Sequence, residues 1–214
     1  MSMEGMSSTD FRNWLEGRML SLPGHKAQDR MSSRSRLSIQ EYLERNPDYR
    51  TSAVMLLLFP SGDSISSLLI ERPSYEGVHS GQLALPGGRS EETDEDIVHT
   101  AIRETFEEVG VRVLREQVIG PLTPIYIPPS RFLVHPFVAF LNERPEFIPD
   151  EREVESLLEV NLSLLLDEEV KQRRRITIGD NMFLEAPCYV IGDKILWGAT
   201  AMMFSEMEAI LRGE

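Results

Sequence analysis

Four charged residues stand close together in one short segment and could take part in metal chemistry: Arg103, Glu104, Glu107 and Glu108. A helix turns by about 100° per residue, so the three glutamates, spaced at i, i+3 and i+4, share one face. Clustered carboxylates repel one another, and a bound cation relieves that repulsion. Hard oxygen ligands of this kind suit Mg²⁺ or Mn²⁺, which retain waters and take phosphate oxygens as further ligands. The segment therefore predicts metal-assisted phosphate chemistry.

The flanks of this segment carry the signals of a helix with defined ends. A solvated acidic face is the ordinary interpretation of an isolated E-x-x-E-E pattern. Here Thr93 and Asp96 resemble a capping pair, and Gly110 can supply the left-handed residue that ends a helix. A different face of the helix is suited to the core and carries Val98, Ile102, Phe106 and Val109. We therefore expect the acids to lie on a well-delimited helix.

The full segment from Gly87 to Val111, GGRSEETDEDIVHTAIRETFEEVGV, resembles the Nudix box of the Nudix hydrolases. Fourteen residues separate Gly88 from Arg103, one more than the usual box has. This insertion is similar to that of the coenzyme A pyrophosphatase branch. The resemblance also implies an acidic residue before the helix that forms a salt bridge with the arginine. Three residues remain open for that role, namely Asp94, Glu95 and Asp96.

A second segment, residues 68–88, resembles a signature of the same branch, in which Leu-Leu-Thr-x-Arg leads through a glycine into Phe-Pro-Gly-Gly. The spacing matches without a gap, at Leu68, Leu69, Arg72, Gly81, Pro86, Gly87 and Gly88. Four positions depart from the signature, which are Ile70, Pro73, Gly77 and Leu85. The match implies that Arg72, His79 and Gly88 contact the substrate. For Arg72 and His79 the alternative is ion pairing at the surface.

The resemblance, which covers most of residues 50–205, implies roles for the box residues as well. The three glutamates of the box would bind Mg²⁺ or Mn²⁺ together with the backbone carbonyl of Gly87. Arg103 would orient those glutamates and complete the catalytic set. Members of the family draw the general base from different places. Glu151 and Glu153 are candidates for it, and the alternative for each is a solvated loop acid.

These residues predict a metal-dependent diphosphate hydrolase. The resemblance implies a substrate such as coenzyme A or acyl-CoA, with 4′-phosphopantetheine or its acyl form and adenosine 3′,5′-bisphosphate as products. Hydrolysis of ADP-ribose or another nucleoside diphosphate derivative is the alternative within this class. A Nudix domain that only binds a nucleotide is the alternative of another class, and such a domain would be expected to lose some of the box acids.

Composition limits the partners of the chain. The sequence has 214 residues, is 41% hydrophobic and carries a net charge of −13, which disfavours a groove for a nucleic acid polymer. A small diphosphate bound through a metal escapes this objection. No apolar stretch approaches a membrane span and the N-terminus lacks a signal-peptide pattern, so we expect a cytoplasmic protein without membrane contact. The sequence leaves the oligomeric state open, with a homodimer as one option.

Apolar, β-branched segments and intervening helices predict an α/β fold, which the resemblance narrows to a Nudix-type α/β/α sandwich around a mixed β-sheet. Residues 1–48 are predicted as an N-terminal helical extension packed on the core, and residues 49–214 as the Nudix hydrolase domain. The expected helices lie near residues 10–20, 38–45 and 199–211, and the expected strands near residues 53–59, 67–71, 118–122, 134–141, 188–191 and 195–197. Gly192 and Asp193 are predicted as a hairpin turn between the last two strands.

Several other residues have both a functional and an ordinary interpretation. Tyr126 and Phe132 could stack on an adenine, although aromatic residues beside strands more often pack in the core. The basic residues 171–175 could reach a substrate phosphate, but we expect a solvated turn. Cys188 is the single cysteine and is expected to be a core thiol, and Trp197 is assigned to packing.

Overall fold

The longest strand, β1 (Arg50–Ser61), lies at the centre of a mixed sheet. It pairs antiparallel with β2 (Ser64–Glu71) and parallel with β7 (Phe132–Phe140). The computed structural model describes residues 6–73, 81–178 and 182–214. Nearly every residue of β1 from 53 to 59 is buried, because helices cover both faces of the sheet.

Shorter strands complete the sheet, which has eight strands within the described ranges. They are β3 (Leu83–Ala84), β4 (Gly87–Arg89), β5 (Val118–Pro121), β6 (Ile125–Ile127) and β8 (Ser156–Asn161). β3 and β8 pair with β2, β4 pairs with β1, and β5 and β6 pair with β7. The pairing of β4 with β1 brings the glycine turn onto the central strand.

The alternation of side chains along β1 divides the core into two layers. Met55, Leu57 and Phe59 face one layer, which is covered by α4 (Ile97–Val109). Leu56 and Leu58 face the other, which is covered by α1 (Ser8–Met19) and α5 (Gly198–Arg212). The predicted α/β/α sandwich around a mixed sheet is thereby confirmed.

The described N-terminal residues form three α-helices, of which the first two pack beside α5 and the third packs on β6. After α1 come α2 (His25–Gln28) and α3 (Ile39–Arg45), of which α3 begins with a capping box between Ser38 and Glu41. Glu206 of α5 is fully buried, and four groups donate hydrogen bonds to its carboxylate. They are Gln28 Nε2 at 2.8 Å, Thr123 Oγ1 at 2.6 Å, Thr123 N at 3.1 Å and Gly24 N at 3.2 Å. The division of the chain at residue 48 stays a prediction.

A second, antiparallel sheet follows, with β9 (Lys171–Thr177), β10 (Phe183–Ile191) and β11 (Lys194–Trp197). The prediction of a turn at residues 171–175 was wrong, since they form most of β9 and pair with β10. Their arginines are exposed, as expected of a basic run, but strand pairing satisfies the backbone. Cys188 is fully buried, as predicted, and Gly192 and Asp193 form the predicted hairpin turn.

Two aromatic residues have ordinary packing roles. Tyr126 is fully buried and stacks on Tyr42 of α3 with the ring centroids 4.9 Å apart. Phe132 packs partly into the core beneath the guanidinium of Arg50, 4.2 Å from the ring centroid. Tyr126 therefore cannot stack on an adenine in this arrangement. Across the described residues, no helix combines the length and the apolar character needed to span a bilayer.

Candidate active site

The helix that carries the box acids, α4, has a clear cap at each end. Asp96 accepts a hydrogen bond from the backbone N of His99 at 2.8 Å, so Asp96 is itself the N-cap. The expected pairing of Thr93 with Asp96 was therefore wrong, since α4 begins only at Ile97. Gly110 ends the helix with φ of 73°, as predicted.

The buried side of α4 differs from the predicted apolar face. Phe106 is 41% exposed and lies beneath the guanidinium of Arg112, with 4.5 Å between that group and the ring centroid. The fully buried residues are Thr100, Ala101, Thr105, Glu108 and Val109. The helix is rotated so that Glu108 faces the sheet, because small residues allow a close approach to β1 and the glycine turn. The face that carries the acids therefore overlaps the face that packs.

Arg103 organises the acidic residues around it. Its Nε and Nη2 donate to the two carboxylate oxygens of Asp94 at 2.9 and 3.0 Å. Its Nη1 donates to Glu104 and to Glu107, each at 2.8 Å. Among the three acids left open by the sequence, Asp94 is thus the partner of Arg103, and this guanidinium holds the pKa of Asp94 well below its usual range. The geometry agrees with the orienting role predicted for Arg103.

The same arginine makes one contact that the sequence analysis missed. Nη2 of Arg103 donates to the backbone carbonyl of Arg89 at 3.1 Å. Every residue has a carbonyl, so no side-chain pattern could have shown this contact. It joins α4 directly to the residue that follows the glycine turn.

Glu108 is the most deeply buried of the box acids. Its side chain is 2% exposed, and the backbone N of Gly87 donates to its carboxylate at 2.7 Å. Burial raises the pKa of Glu108 to about 7, while the nearby charge of Arg72 lowers it. Arg72 Nη2 lies 3.8 Å from Glu108 Oε1 and donates to the Gly87 carbonyl at 3.4 Å. The structure thus brings Arg72 to the box, as its assignment to the substrate site requires.

The other two box acids are progressively more exposed. The side chain of Glu104 is 14% exposed and that of Glu107 is 54% exposed. Burial raises the pKa of Glu104, against the lowering effect of Arg103. Glu104 and Glu108 are therefore desolvated carboxylates, and the charge of Glu104 also raises the pKa of Glu108. A cation placed between them would relieve both costs.

The donor set suits a divalent cation, although it does not already surround one. Carboxylates and the Gly87 carbonyl are the hard oxygen ligands that Mg²⁺ and Mn²⁺ take. Within the part of the chain that the structure describes, however, no group of three or more histidine, cysteine or acidic side chains is arranged to hold an ion. The reason is that Arg103 draws the carboxylates of Glu104 and Glu107 to itself.

The two glycines of the turn are constrained in different ways. Gly87 has φ of 150°, and a Cβ there would meet the Ala53 carbonyl at 2.3 Å. A Cβ on Gly88 would instead meet the carboxylate of Glu104, also at 2.3 Å. Backbone cannot move aside in the first case, whereas a flexible side chain can do so in the second. The predicted substrate contact of Gly88 is untested, but its closeness to Glu104 places it in the site.

This contrast gives a prediction for two matched variants. Gly87→Ala should lower the melting temperature strongly, because both its φ and its contacts exclude a side chain. Gly88→Ala should fold with nearly the wild-type melting temperature but bind Mn²⁺ at least about tenfold more weakly, since Glu104 is displaced. Thermal unfolding and metal titration of both variants provide the measurement. Equal melting temperatures for the two would contradict the assignment.

The remaining candidates differ in how well the structure places them. The negative charge of Glu153 adds to burial in raising the pKa of both Glu104 and Glu108, so Glu153 lies within electrostatic reach of the box. Glu151 is exposed in the same loop. His79 lies outside the described residues. Of the two candidate bases, Glu153 is therefore the one the fold brings near the site.

The raised pKa of Glu108 predicts that Mn²⁺ affinity and the stability of the metal-free protein change in opposite directions with pH. Deprotonation is needed for a cation to bind, so Mn²⁺ affinity should rise from pH 6 to pH 8. In chelator the folded protein binds an extra proton between about pH 4.5 and 7, so this group's contribution to stability should fall as pH rises through that range. Glu108→Gln should remove both dependences. Metal titrations and thermal unfolding of both proteins across this range are the measurements.

The fold and the site together define an α/β/α domain in which an arginine-ordered acidic helix lies beside a glycine turn. The chain belongs to the Nudix family, since the model of the NUDIX domain matches residues 48–178. The resemblance predicted from the sequence is thereby confirmed.

Relatives of the chain carry names from the same family. Nudix hydrolase 15, mitochondrial, from Arabidopsis thaliana is 33% identical over 74% of this chain and 59% of its own length. The human mitochondrial coenzyme A diphosphatase NUDT8 is 30% identical over 71% of this chain and 66% of its own length. The chain thus spans less than two thirds of the length of these relatives.

A solved structure supports the fold. The MutT protein from Methanosarcina mazei Go1 superimposes with a TM-score of 0.51 at 17% identity, over 78% of this chain and 96% of that one. At this identity the similarity shows the architecture and carries no information on the substrate.

Proposed function

We propose that this protein is a metal-dependent diphosphatase that cleaves coenzyme A or acyl-CoA. The products would be 4′-phosphopantetheine, or its acyl form, and adenosine 3′,5′-bisphosphate. The observation that carries the proposal is a pair of desolvated acids beside the glycine turn, Glu104 held by Arg103 and Glu108 held by the backbone N of Gly87. Such a pair is costly to keep unless a cation compensates for it.

The reaction requires a water to attack one phosphorus atom while the bridging P–O bond breaks. A bound Mg²⁺ or Mn²⁺ would screen the phosphate charge and acidify that water. The residues that would hold the metal are Glu104, Glu107, Glu108 and the Gly87 carbonyl. Arg103 keeps the carboxylates of Glu104 and Glu107 in position through its hydrogen bonds, and Glu153, whose charge acts on Glu108, is the proposed acceptor of the water proton.

Three observations favour a CoA-like substrate. The first is the ungapped match of residues 68–88 to the signature of the CoA branch. The second is that Arg72, a residue of that signature, reaches the Gly87 carbonyl and Glu108. The third is that named CoA diphosphatases are among the relatives of the chain. An arginine at this place can offer two parallel donors to a phosphate.

A panel of substrates tests the proposal. CoA, acyl-CoAs, dephospho-CoA, ADP-ribose, NADH and dinucleoside polyphosphates would be incubated with Mg²⁺ or Mn²⁺, and the product masses read out. We expect CoA or an acyl-CoA to be cleaved with the highest kcat/KM, and only with metal. Efficient cleavage of ADP-ribose without turnover of CoA would overturn the substrate assignment alone. Nucleotide binding without any cleavage would show a non-catalytic domain.

Arg72 supplies a more specific prediction on this substrate. If it contacts a substrate phosphate, Arg72→Ala should reduce kcat/KM on CoA by roughly ten- to a hundredfold, the scale of one or two charge-assisted hydrogen bonds. Mn²⁺ affinity, measured in the absence of substrate, should change less than kcat/KM, because Arg72 lies 3.8 Å from Glu108 and is not itself a metal ligand. Arg144→Ala is the control, because Arg144 pairs with Glu159 on the distant part of β8. Equal losses for both variants would speak against a phosphate contact.

The remaining partner assignments rest on composition. A net charge of −13 still argues against a nucleic acid polymer as substrate. The cytoplasmic location and the option of a homodimer stay predictions.

A further inference from the structure

Two residues outside the box, Glu71 and Lys194, join three parts of the fold at one point. Lys194 Nζ donates to both carboxylate oxygens of Glu71, at 2.7 and 2.8 Å. Ser156 Oγ donates to the same carboxylate at 2.6 Å. Lys194 begins β11, Glu71 ends β2 and Ser156 begins β8, so one carboxylate links the second sheet to two strands of the first.

The backbone of Glu71 adds a further link. Its carbonyl accepts a hydrogen bond from the backbone N of Glu155 at 2.9 Å. The segment just before this residue is tied to α4 as well, because the backbone N of Asp150 donates to the carbonyl of Glu108 at 3.0 Å. Residues 150–156 therefore run between the end of α4 and the end of β2, with an anchor at each end.

Arg72 and Glu153 lie next to this junction, and both have a role in the proposed function. Arg72 directly follows Glu71 and reaches Glu108 and the Gly87 carbonyl. Glu153 lies between the two anchors of residues 150–156, and its backbone N donates at 2.9 Å to the carbonyl of Asp150, the residue that is bonded to Glu108. Arg72 follows the last residue of β2, and its side chain reaches Glu108 while that of Glu71 holds Lys194.

We propose that Glu71 and Lys194 are positioning residues for this reaction, which fix Arg72 and Glu153 relative to the box acids without touching the substrate. The inference rests on the proposed function. The ion pair links the β10–β11 hairpin to the site, so the second sheet contributes to catalysis through its hairpin. A partly exposed ion pair adds little to the free energy of unfolding. We expect this pair to act instead by fixing the positions of Arg72 and Glu153.

Kinetics of Lys194→Met test this role. We expect kcat/KM on the preferred substrate to fall by about tenfold, because small displacements of catalytic groups are costly. The melting temperature should stay close to that of the wild type. Lys194→Arg should restore most of the activity, since it can still donate to Glu71. Arg144→Met is the matched control, because it removes another exposed ion pair that ends on β8.

A double-mutant cycle separates positioning from a general structural effect. If Lys194 acts through Glu153, the loss caused by Lys194→Met should shrink in a Glu153→Gln background. Losses that multiply fully in both the Glu153→Gln and the Arg72→Ala backgrounds would overturn the proposal.

Hydrogen exchange supplies a readout that does not need activity. The amide of Glu155 should exchange faster in Lys194→Met than in the wild type or in Arg144→Met, because its hydrogen bond to Glu71 is loosened. If the wild type cleaves none of the panel, the proposed function fails, and faster exchange at Glu155 still supports the junction. Unchanged exchange at Glu155 would overturn the proposal in either case.

Discussion

Replacing Glu108 with glutamine is expected to reduce turnover at least about a hundredfold while the protein stays folded. The substitution removes a charge that a metal needs, yet it keeps the size of the side chain and an oxygen that can accept the hydrogen bond from Gly87 N. Because Glu108 is almost fully buried with a raised pKa, the metal-free variant should be at least as stable as the wild type at pH 8.

The measurements are steady-state kinetics, Mn²⁺ titration and thermal unfolding in chelator. Glu92→Gln is the control for charge, since Glu92 is an exposed acid in the loop before α4. Glu104→Gln and Glu107→Gln should also be impaired. Full activity of the wild type in excess chelator would sink the metal mechanism, and a Glu108→Gln variant with normal turnover would remove Glu108 from it.

Replacing Arg103 with alanine should affect both stability and metal binding. Asp94 would lose its guanidinium partner although its side chain is only 3% exposed, which we expect to cost about 1–3 kcal/mol of unfolding free energy. Glu104 and Glu107 would lose their common donor, so Mn²⁺ affinity should fall. Turnover should fall because the metal ligands Glu104 and Glu107 are misplaced. Arg103 itself is not assigned a contact with the substrate.

The loss of stability at acid pH should differ between Arg103→Ala and the wild type. Arg103 lowers the pKa of Asp94, so their interaction stabilises the fold above about pH 4 and is lost on acidification. Arg103→Ala should therefore lose less stability than the wild type between pH 6 and pH 3. Arg144→Ala is the control, because Arg144 pairs with Glu159 on β8, outside α4. Normal Mn²⁺ binding combined with weaker substrate binding in Arg103→Ala would refute the structural role.

The parts of the site that the sequence predicted are those governed by local rules. Helical periodicity places Glu104, Glu107 and Glu108 near one another, and a glycine in the left-handed region ends the helix at Gly110. The hairpin turn at Gly192 and Asp193 follows an equally short pattern and was also predicted. In each case the physical cause lies within about four residues of the feature.

The parts that were missed depend on contacts between distant segments. Phe106 looks like a core residue by spacing, but the close packing of Ala101 and Thr105 on the sheet turns it outward. The choice of Asp94 over its neighbours needs the path of the loop in three dimensions. Strand formation at residues 171–175 depends on pairing with β10, which overrides the expectation for a basic run.

The buried carboxylate of Glu206 shows that the family match and the folding unit have different limits. The matched segment starts at residue 48, whereas two of the hydrogen-bond donors of Glu206 come from Gly24 and Gln28. A polypeptide shortened to begin at residue 48 would keep every box residue but would lose two hydrogen-bond donors to the buried carboxylate of Glu206 in α5. Thr123 would be the remaining partner of Glu206 in this network. The family match therefore covers the residues of the box, whereas the hydrogen bonds that satisfy the buried Glu206 also require residues before position 48.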